Sequence, residues 1–553
     1  MALRSGGEVL VSALRINGVD RVFCVPGESY IAVLDALHDV PSIGVVTCRH
    51  EAGAANMAEA DGKMTGRPGI SFVTRGPGAT HASTGVHTAM QDSTPMILFI
   101  GQVARGFRGR EAFQEIDYVQ MFGAVAKWVA QIDDARRLPE LVTRAFAVAM
   151  SGRPGPVVLA LPEDMLRDEV DVADLARANA GGAHPGSEEI ARLHAMLSES
   201  ERPLVVLGGS GWDAASCGVV RRFVKKSDLP ATCTFRRQSL LDNCDEHYVG
   251  DMGVGINPAL AKRIRDADLI VAIGGRLSEA PTSGYSLIES PRPKQRLVHV
   301  HADPNELGRV FQADLAINAT PRNFAAAIDT LEGVDGRRWR DWRRAARADY
   351  EASLQPSLDG GALDLAKIVR YLSECLPGDA ILCNGAGNFA AWLHRFFQFK
   401  TFGTQLAPTS GAMAYGVPAA VAAKLRYPDR IVIAWAGDGD FMMSGHELAT
   451  AMQYRAAIVV VVINNGMLAT IRMHQELAYP GRVSGTDLRN PDFVALARAY
   501  GAHAELVETT AEFAPAFDRA VATGVPALLE LRVDPELIST RTTISKIRHA
   551  SRS

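Results

Sequence analysis

The sequence predicts an α/β fold of three consecutive doubly wound domains, each built on a parallel sheet. Two observations predict it: apolar runs of strand length alternate with helical patterns, and two polar stretches interrupt this alternation. A chain of 553 residues is also too long for one hydrophobic core and has the length of about three domains. We therefore expect domains at 1–170, 188–335 and 360–540.

The strands expected in these domains are apolar runs that end in turn residues. Residues 167–187 and 336–361 are polar or charged and indicate a linker, and an exposed helix followed by a linker, respectively. The basic chain beyond Arg541 indicates a tail. The expected strands are RVFCVP, IGVVTC, GISFVT, MILFIG and GPVVLALP in the first domain, PLVVLGG, DLIVAIGG and RLVHVHAD in the second, and AILCNG, RIVIAWAGDGD, AAIVVVVINN and PALLELRV in the third.

Composition excludes several classes of protein. A net charge of −4 without a long basic stripe gives no reason to expect a nucleic-acid partner. The first twenty residues lack the features of a signal peptide, and we find no apolar run of about 18 residues, so no membrane association is expected. Seven dispersed cysteines without CxxC spacing favour a reducing compartment, the cytoplasm.

Two loops of the third domain carry hard oxygen ligands. Gly437-Asp438-Gly439-Asp440 follows the strand IVIAWA, and Asn464-Asn465-Gly466 follows the next long apolar strand. Both loops are expected at strand carboxyl ends, the edge where open α/β sheets bind ligands. Asp438 and Asn465 offer oxygens suited to Mg²⁺, while the glycines and a helix after Phe441 would approach a diphosphate.

Each fragment alone is also typical of a tight turn. Together, with this spacing and strand context, they resemble the thiamine diphosphate signature. A dinucleotide-dependent dehydrogenase would need GxGxxG after a strand, and the nearest candidate, Gly208-Gly209-Ser210-Gly211, lacks the third glycine.

Thiamine chemistry requires loss of a proton from C2 of the cofactor, which a carboxylate on its pyrimidine ring promotes. Glu51 is the candidate, because it follows the strand IGVVT at the start of a helix rich in small residues. The alternative is a glutamate that is favoured there by the helix dipole.

Over nearly its full length the chain resembles the acetolactate synthase, pyruvate oxidase and 2-oxo acid decarboxylase family. The resemblance implies that Glu51 activates thiamine diphosphate and that Mg²⁺ is bound by Asp438, Asn465 and the carbonyl of Met467. Met413, in the motif SGAMAYG, would support the thiazolium as a wedge, although core packing is the alternative. The other cofactor contacts implied are Asn388, Phe389, Gly411, Gly437, Gly439, Asp440 and Leu468.

The same resemblance implies a reaction and an assembly. A 2-oxo acid would be decarboxylated and its acyl carbanion passed to a second carbonyl, as in acetolactate synthase. The cofactor would lie between the first domain of one subunit and the third domain of another, which requires a homodimer, and a homotetramer is common among relatives. The segments RGPGAT, GQV, EAFQE and SGRPGP look most like acetolactate synthase, and Phe113, Gln114 and Lys127 would line its substrate channel.

Three departures put the substrates in question. At Gly275-Arg276 the sequence lacks the second arginine of the flavin-binding run, so FAD is doubtful, although Arg276 and Asp303 could hold another adenine nucleotide. His474 replaces a tryptophan of synthases that favour 2-oxobutyrate. At Gly27-Glu28 a carboxylate replaces small residues, and Glu28 could either face the substrate or cap the next helix.

Two other functions therefore stay open. One is a 2-oxo acid decarboxylase, or a carboligase with a different donor or acceptor, for which the altered pocket around Glu28, Ala280 and His474 is the sign. The other is a catalytically silent binding protein on the same fold. Retention of Glu51, Asp438, Asn465 and Met413 together argues against silence.

Overall fold

The computed structural model describes residues 3–550 and contains three parallel six-stranded sheets with flanking helices, so the predicted α/β fold is confirmed. No helix within 3–550 is long and apolar enough to cross a membrane.

The first sheet has the strand order β3-β2-β4-β5-β7-β6, and all of its neighbouring strands are parallel. The carboxyl ends of these strands therefore meet at one edge. A short antiparallel pair, β1 with β8, joins the start of this region to its end. The elements are β1 Arg4–Ser5, α1 Gly6–Ile16, β2 Arg21–Cys24, α2 Ile31–His38, β3 Gly44–Thr47, α3 Glu51–Thr65, β4 Gly69–Val73, α4 Pro77–Asp92, β5 Met96–Gln102, α5 Tyr118–Phe122, β6 Trp128–Gln131, α6 Leu138–Met150, β7 Pro156–Pro162 and β8 Glu169–Val170.

The central sheet has the order β11-β10-β9-β12-β13-β14. The strand order reverses next to β9, and such a switch point leaves a crevice at the carboxyl edge. Its elements are α7 Ser187–Glu199, β9 Pro203–Leu207, α8 Ala214–Lys226, β10 Ala231–Thr234, β11 Tyr248–Met252, α9 Pro258–Asp266, β12 Leu269–Ile273, β13 Arg296–His301, β14 Leu315–Asn318, α10 Pro321–Asp329 and α11 Arg340–Ser353.

The third sheet has the order β16-β15-β17-β18-β20-β19, so the two strands that precede the GDGD and NNG loops are neighbours. Its elements are α12 Leu365–Cys375, β15 Ile381–Asn384, α13 Phe389–Phe396, β16 Gln405–Leu406, α14 Gly416–Arg426, β17 Val432–Gly437, α15 Asp438–Met442, α16 Leu448–Gln453, β18 Val459–Asn464, α17 Ala469–Ala478, α18 Phe493–Ala499, β19 His503–Val507, α19 Thr510–Ala522, β20 Ala527–Arg532 and α20 Ile544–Ala550.

The chain forms two compact units. One comprises 1–181 with the segments 421–428 and 444–456, and the other comprises 182–420, 429–443 and 457–553. The second unit thus contains the central sheet and the third sheet, while two short segments near the third sheet's sequence belong to the first unit. The three domain boundaries expected from sequence stay a prediction.

Two expectations about polar segments need correction. The helix expected in the charged stretch is present as α11, but it is not fully exposed, because Tyr350 and the preceding Trp339 are buried in the core of the central sheet. The expected basic tail forms α20, whose Ile544 and Ile547 pack with Met467 in a small apolar cluster. In both cases a few apolar residues at helical spacing outweigh an otherwise charged composition.

Candidate active site

A cavity of about 250 Å³ lies at the carboxyl edge of the third sheet, among the loops that follow the adjacent strands β15, β17 and β18. Every cofactor-binding residue expected in the third domain lines it. The lining is Ala386, Gly387, Asn388, Phe389, Gly411, Met413, Gly437, Asp438, Gly439, Asp440, Ile463, Asn465, Met467, Leu468, Ala469, Thr470 and Ile471.

Asp438 is held in place by three hydrogen bonds. Its Oδ1 accepts from the amide of Gly439 at 2.9 Å, and its Oδ2 accepts from the amide of Gly466 at 2.9 Å and from Asn490 Nδ2 at 2.8 Å. Burial raises the pKa of Asp438 above the usual aspartate value. A bound cation would favour the charged form, so this buried carboxylate fits a divalent-metal ligand.

Asn465 adds an amide oxygen at the end of the neighbouring strand. Its Oδ1 accepts from the amide of Met467 at 3.2 Å, a bond that turns the chain sharply through this loop. Met467 also forms an isolated bridge with Asp487. The oxygen donor set of Asp438, Asn465 and the Met467 backbone is of the kind that Mg²⁺ takes in proteins.

Close backbone approach explains the glycines of the GDGD loop. A β-carbon at Gly437 would lie 2.6 Å from the Phe389 ring, and one at Gly439 would lie 2.8 Å from the Leu468 side chain. A side chain at either position would therefore require Phe389 or Leu468 to move. The expectation that the helix begins after Phe441 was wrong, because α15 begins at Asp438, inside the motif itself.

Met413 lies in the cavity and not in a closed core. It is half-buried, and its Cε would lie 3.8 Å from a β-carbon at Gly439. Asp440 also bonds within the protein, since its Oδ1 accepts from the amide of Ala414 at 2.9 Å, and its expected contact with the cofactor stays a prediction. Full burial raises the pKa of Asp440 to about 7. Asp440 thus ties the Met413 loop to the GDGD loop.

Asn388 also lines the cavity, but its side-chain amide is engaged by the protein. Its Nδ2 donates to the carbonyl of Ile538 at 2.7 Å, and its Oδ1 accepts from Thr470 Oγ1 at 2.9 Å. A contact between the Asn388 side chain and a diphosphate would compete with these two bonds, and it stays a prediction.

Glu51 is the first residue of α3, at the carboxyl edge of the first sheet. Its Oε2 lies 2.9 Å from His81 Nδ1, and its side chain is 13% exposed. His50 precedes it as the helix cap, with Nδ1 accepting from the amide of Ala52, and stacks on His81 with ring centroids 4.4 Å apart. Burial, with a smaller contribution from His81, lowers the pKa of His50. The sequence singled out Glu51 but not its partner.

Glu447 is a second residue that sequence reasoning missed. Its fully buried carboxylate accepts from the amides of Arg49 and His50, both at 3.1 Å, and from Thr450 Oγ1 at 2.5 Å. A β-carbon at Gly53 would lie 2.2 Å from its Oε1, so α3 fits against it only with glycine there. Glu447 therefore fixes the backbone that presents Glu51.

Three charged residues form an ion-pair cluster at the same edge of the first sheet. Arg75 donates from Nη2 to Glu28 Oε1 at 2.5 Å and from Nη1 to Glu163 Oε2 at 3.0 Å. We call these three residues the Glu28 triad. Glu28 begins a short 3₁₀ helix, but its carboxylate pairs with Arg75 and does not cap that helix. Gly27 is required because a β-carbon there would lie 2.4 Å from Thr74 Cβ.

Phe113 and Gln114 lie over this cluster, in the loop after β5. Phe113 is 72% exposed, and the Arg75 guanidinium lies 5.9 Å from its ring centroid. Gln114 has a positive φ of 65°, and a β-carbon at Gly76 would lie 2.9 Å from Gln114 Cβ. The structure thus brings Gly27, Glu28, Phe113 and Gln114 to one edge.

Lys127 does not join them. It immediately precedes β6, at the opposite, amino edge of the sheet, and its Nζ donates to the carbonyls of Val148 and Ser151, both at 2.6 Å. Within one chain Lys127 therefore lies apart from Phe113 and Gln114, and its place at the mouth of the substrate channel stays a prediction. His474 is exposed on α17, one helical turn beyond the cavity-lining Ile471.

In the central sheet, two glycine loops meet at the switch point between β9 and β12. A β-carbon at Gly209 would lie 1.9 Å from the carbonyl oxygen of Gly274, and both glycines have positive φ. Arg276 follows this turn, while Asp303 caps a 3₁₀ helix by accepting from the amide of Asn305 at 2.9 Å. A switch point of this kind is a place where α/β sheets bind nucleotides. Asp303, one of the two residues expected to hold a nucleotide, already accepts a hydrogen bond from its own loop.

Comparison with known proteins agrees with this geometry over all three sheets. Residues 4–121 match the N-terminal TPP binding domain of thiamine pyrophosphate enzymes, residues 190–328 the central domain, and residues 385–531 the C-terminal TPP binding domain. The fold and the two sites thus define a thiamine diphosphate-dependent enzyme of decarboxylation and carboligation.

Curated relatives narrow the class. The chain is 30% identical to the acetolactate synthase isozyme 2 large subunit of Escherichia coli K12, over 96% of each chain. It is 32% identical to the acetolactate synthase large subunit of Lactococcus lactis, over 90% of this chain and 87% of the relative. A probable acetolactate synthase large subunit of Methanocaldococcus jannaschii is 30% identical, over 96% and 92%. The chain belongs to this family of thiamine pyrophosphate enzymes.

Proposed function

We propose that this enzyme decarboxylates a 2-oxo acid such as pyruvate with thiamine diphosphate and Mg²⁺, and joins the acyl unit to a second carbonyl compound. The main support for this proposal is the cavity of the third sheet. Asp438 and Asn465, which follow neighbouring strands, line it together with the half-buried Met413. The acetolactate synthase names of the relatives support the same reaction class.

When bound, thiamine diphosphate supplies the carbon nucleophile and the electron sink. Asp438, Asn465 and the Met467 carbonyl would hold Mg²⁺, and the loops at Gly437 and Gly439 would admit the diphosphate. Met413 would support the thiazolium ring. These assignments rest on the lining of the cavity and on the orientation of its oxygen donors.

Glu51 would hold a proton for the pyrimidine ring. Its Oε2 is engaged by His81, so we infer that Oε1, on the side of Gly78, makes the bond to the cofactor. The low exposure of Glu51 excludes most water from this carboxylate, which strengthens such a bond. Phe113, Gln114 and Glu28 would contact the substrates at the same edge.

We also propose a homodimer as the smallest active assembly, with a homotetramer as the larger possibility. The glutamate and the metal ligands lie in different compact units, and the family resemblance implies that they meet across a subunit interface. Exposed apolar residues near the cavity support an interface there: Met442, Met443, Ile471, Leu477 and Tyr479.

An adenine nucleotide, FAD or another, remains a proposal for the switch point of the central sheet, where Gly209 and Gly274 meet. A cytoplasmic location also stays a prediction, and the seven free cysteines agree with it.

The test is turnover of a panel of 2-oxo acids with thiamine diphosphate and Mg²⁺, with and without FAD, following CO₂ release and all carbon products. A 2-hydroxyketone or acetolactate formed in step with CO₂ would support carboligation. Free aldehyde as the only product would support the simple decarboxylase instead. Cofactor binding without CO₂ release from any acid would support a silent protein and refute the proposal.

A further inference from the structure

The proposed function places Glu28 in contact with the substrates but gives the charge of the Glu28 triad no role in choosing between them. Arg75 is only 9% exposed and is shared between two carboxylates, whereas the Glu28 side chain is 65% exposed and that of Glu163 is 27% exposed. One guanidinium between two carboxylates gives the cluster a formal net charge of −1. The exposed part of that charge is Glu28.

The triad lies next to the activating glutamate. A β-carbon at Gly78 would lie 3.0 Å from Thr74 Cγ2 and 3.4 Å from Glu51 Oε1, so Thr74 and Glu51 contact the same glycine. On its other side Thr74 meets the loop of Glu28, with its Oγ1 2.9 Å from Ser29 Oγ. Thr74 therefore borders both the Glu28 loop and the start of the helix that carries Glu51, so both carboxylates belong to the same edge of the first sheet.

A negative charge at this place affects the two substrates differently. The donor loses its carboxylate as CO₂. The negative charge of Glu28 therefore opposes binding of the donor but does not oppose decarboxylation, which removes the donor's own negative charge. An acceptor that is itself a 2-oxo acid keeps its carboxylate throughout bond formation. Arg75 offers little compensation, because both of its terminal nitrogens are already paired with Glu28 and Glu163.

We propose that the acceptor of this enzyme is an uncharged aldehyde, and that the Glu28 triad disfavours 2-oxo acids as acceptors. This rests on the proposed function. The donor's bond to its carboxylate breaks to release CO₂, a new carbon–carbon bond forms to the aldehyde carbon, and the aldehyde oxygen takes up one proton. The product is a neutral 2-hydroxyketone, and no oxidant or reductant is needed.

The test compares two acceptors of equal carbon number, glycolaldehyde without a charge and glyoxylate with one. The donor is the isotopically labelled 2-oxo acid that releases CO₂ fastest in the panel above. The enzyme is expected to use glycolaldehyde with the higher kcat/KM, and Glu28→Gln should narrow this preference about tenfold, the effect of one like-charge contact near a protein surface. Glu163→Gln should also lower the ratio of kcat/KM for glycolaldehyde to kcat/KM for glyoxylate.

The matched control is Glu140→Gln, which also removes one negative charge from an exposed ion pair, that of Glu140 with Arg137 at 2.6 Å. It should leave the preference unchanged. Equal use of glyoxylate by the wild type, or a preference that Glu28→Gln does not alter, would overturn the proposal. A Glu28→Gln variant that only slows CO₂ release would also overturn it, since the triad would then act on the donor. Failure of the proposed function is distinguishable, because wild-type enzyme would release no CO₂ from any acid.

Discussion

Glu447→Gln should loosen the loop that presents Glu51. The change keeps the size of the side chain but removes its charge and converts one acceptor oxygen into a donor. The carboxylate accepts from the amides of Arg49 and His50 and from Thr450 Oγ1. A hydrogen bond to a charged group is worth about 1.5–3 kcal/mol and a neutral one about 0.5–1.5 kcal/mol, so three bonds lose about 3 kcal/mol in all. Desolvation of the buried carboxylate offsets part of this loss, and about 2 kcal/mol remains.

The assay is amide hydrogen exchange, followed by mass spectrometry of peptides that contain Arg49 and His50. A local loss of about 2 kcal/mol corresponds to roughly thirtyfold faster exchange. The matched control is Glu512→Gln, whose carboxylate also accepts from two backbone amides, those of Glu508 and Thr509, but at an exposed helix start. Unchanged exchange in the variant, or an equal change in the control, would contradict the role of Glu447 in fixing the backbone at Arg49 and His50.

Three further predictions concern other parts of the chain. His299 is buried, its Nε2 lies 2.8 Å from the Gly275 carbonyl, and burial lowers its pKa to about 4. The contribution of neutral His299 to the free energy of unfolding is therefore expected to be fully present above about pH 6.5 and to fall by about 3 kcal/mol as the pH drops to about 4. Urea unfolding at several pH values should show a smaller loss in His299→Gln. Asp438→Ala should abolish Mg²⁺-dependent binding of thiamine diphosphate in calorimetry, and unchanged affinity would overturn the metal assignment. Lys127→Met should lower the thermal unfolding temperature and leave the ratio of carboligation product to free aldehyde unchanged. An altered ratio would support the place of Lys127 at the mouth of the substrate channel.

The sequence was sufficient for the strands and loops that are buried on both faces. Long runs of Val, Ile and Leu mark β5, β7, β17 and β18, because parallel strands between helix layers admit little else. The ligands Asp438 and Asn465 follow two of these strands, so their neighbourhood could be predicted. Strands at sheet edges, such as β6 and β19, are half-exposed and lack such a run.

Partners that come from distant segments could not be predicted. Glu163 is a single carboxylate after a strand, and only the sheet order places it beside Arg75 and Glu28. Glu447 and Asn490 carry no local pattern, since their roles depend on which backbone amides or carboxylates the fold brings to them. The bonds of Lys127 to the carbonyls of Val148 and Ser151 could not be predicted either, because the sequence did not reveal the edge strand β6 that Lys127 precedes.

The most direct test of the account is exchange of the cofactor's C2 proton with deuterium in the Glu51→Gln variant, measured beside thiamine diphosphate affinity. Exchange is expected to be lost while affinity stays close to that of the wild type, because Glu51 holds a proton and the proposed metal and diphosphate ligands lie in the other unit. Exchange at the wild-type rate would contradict the assignment of Glu51 as the activating residue.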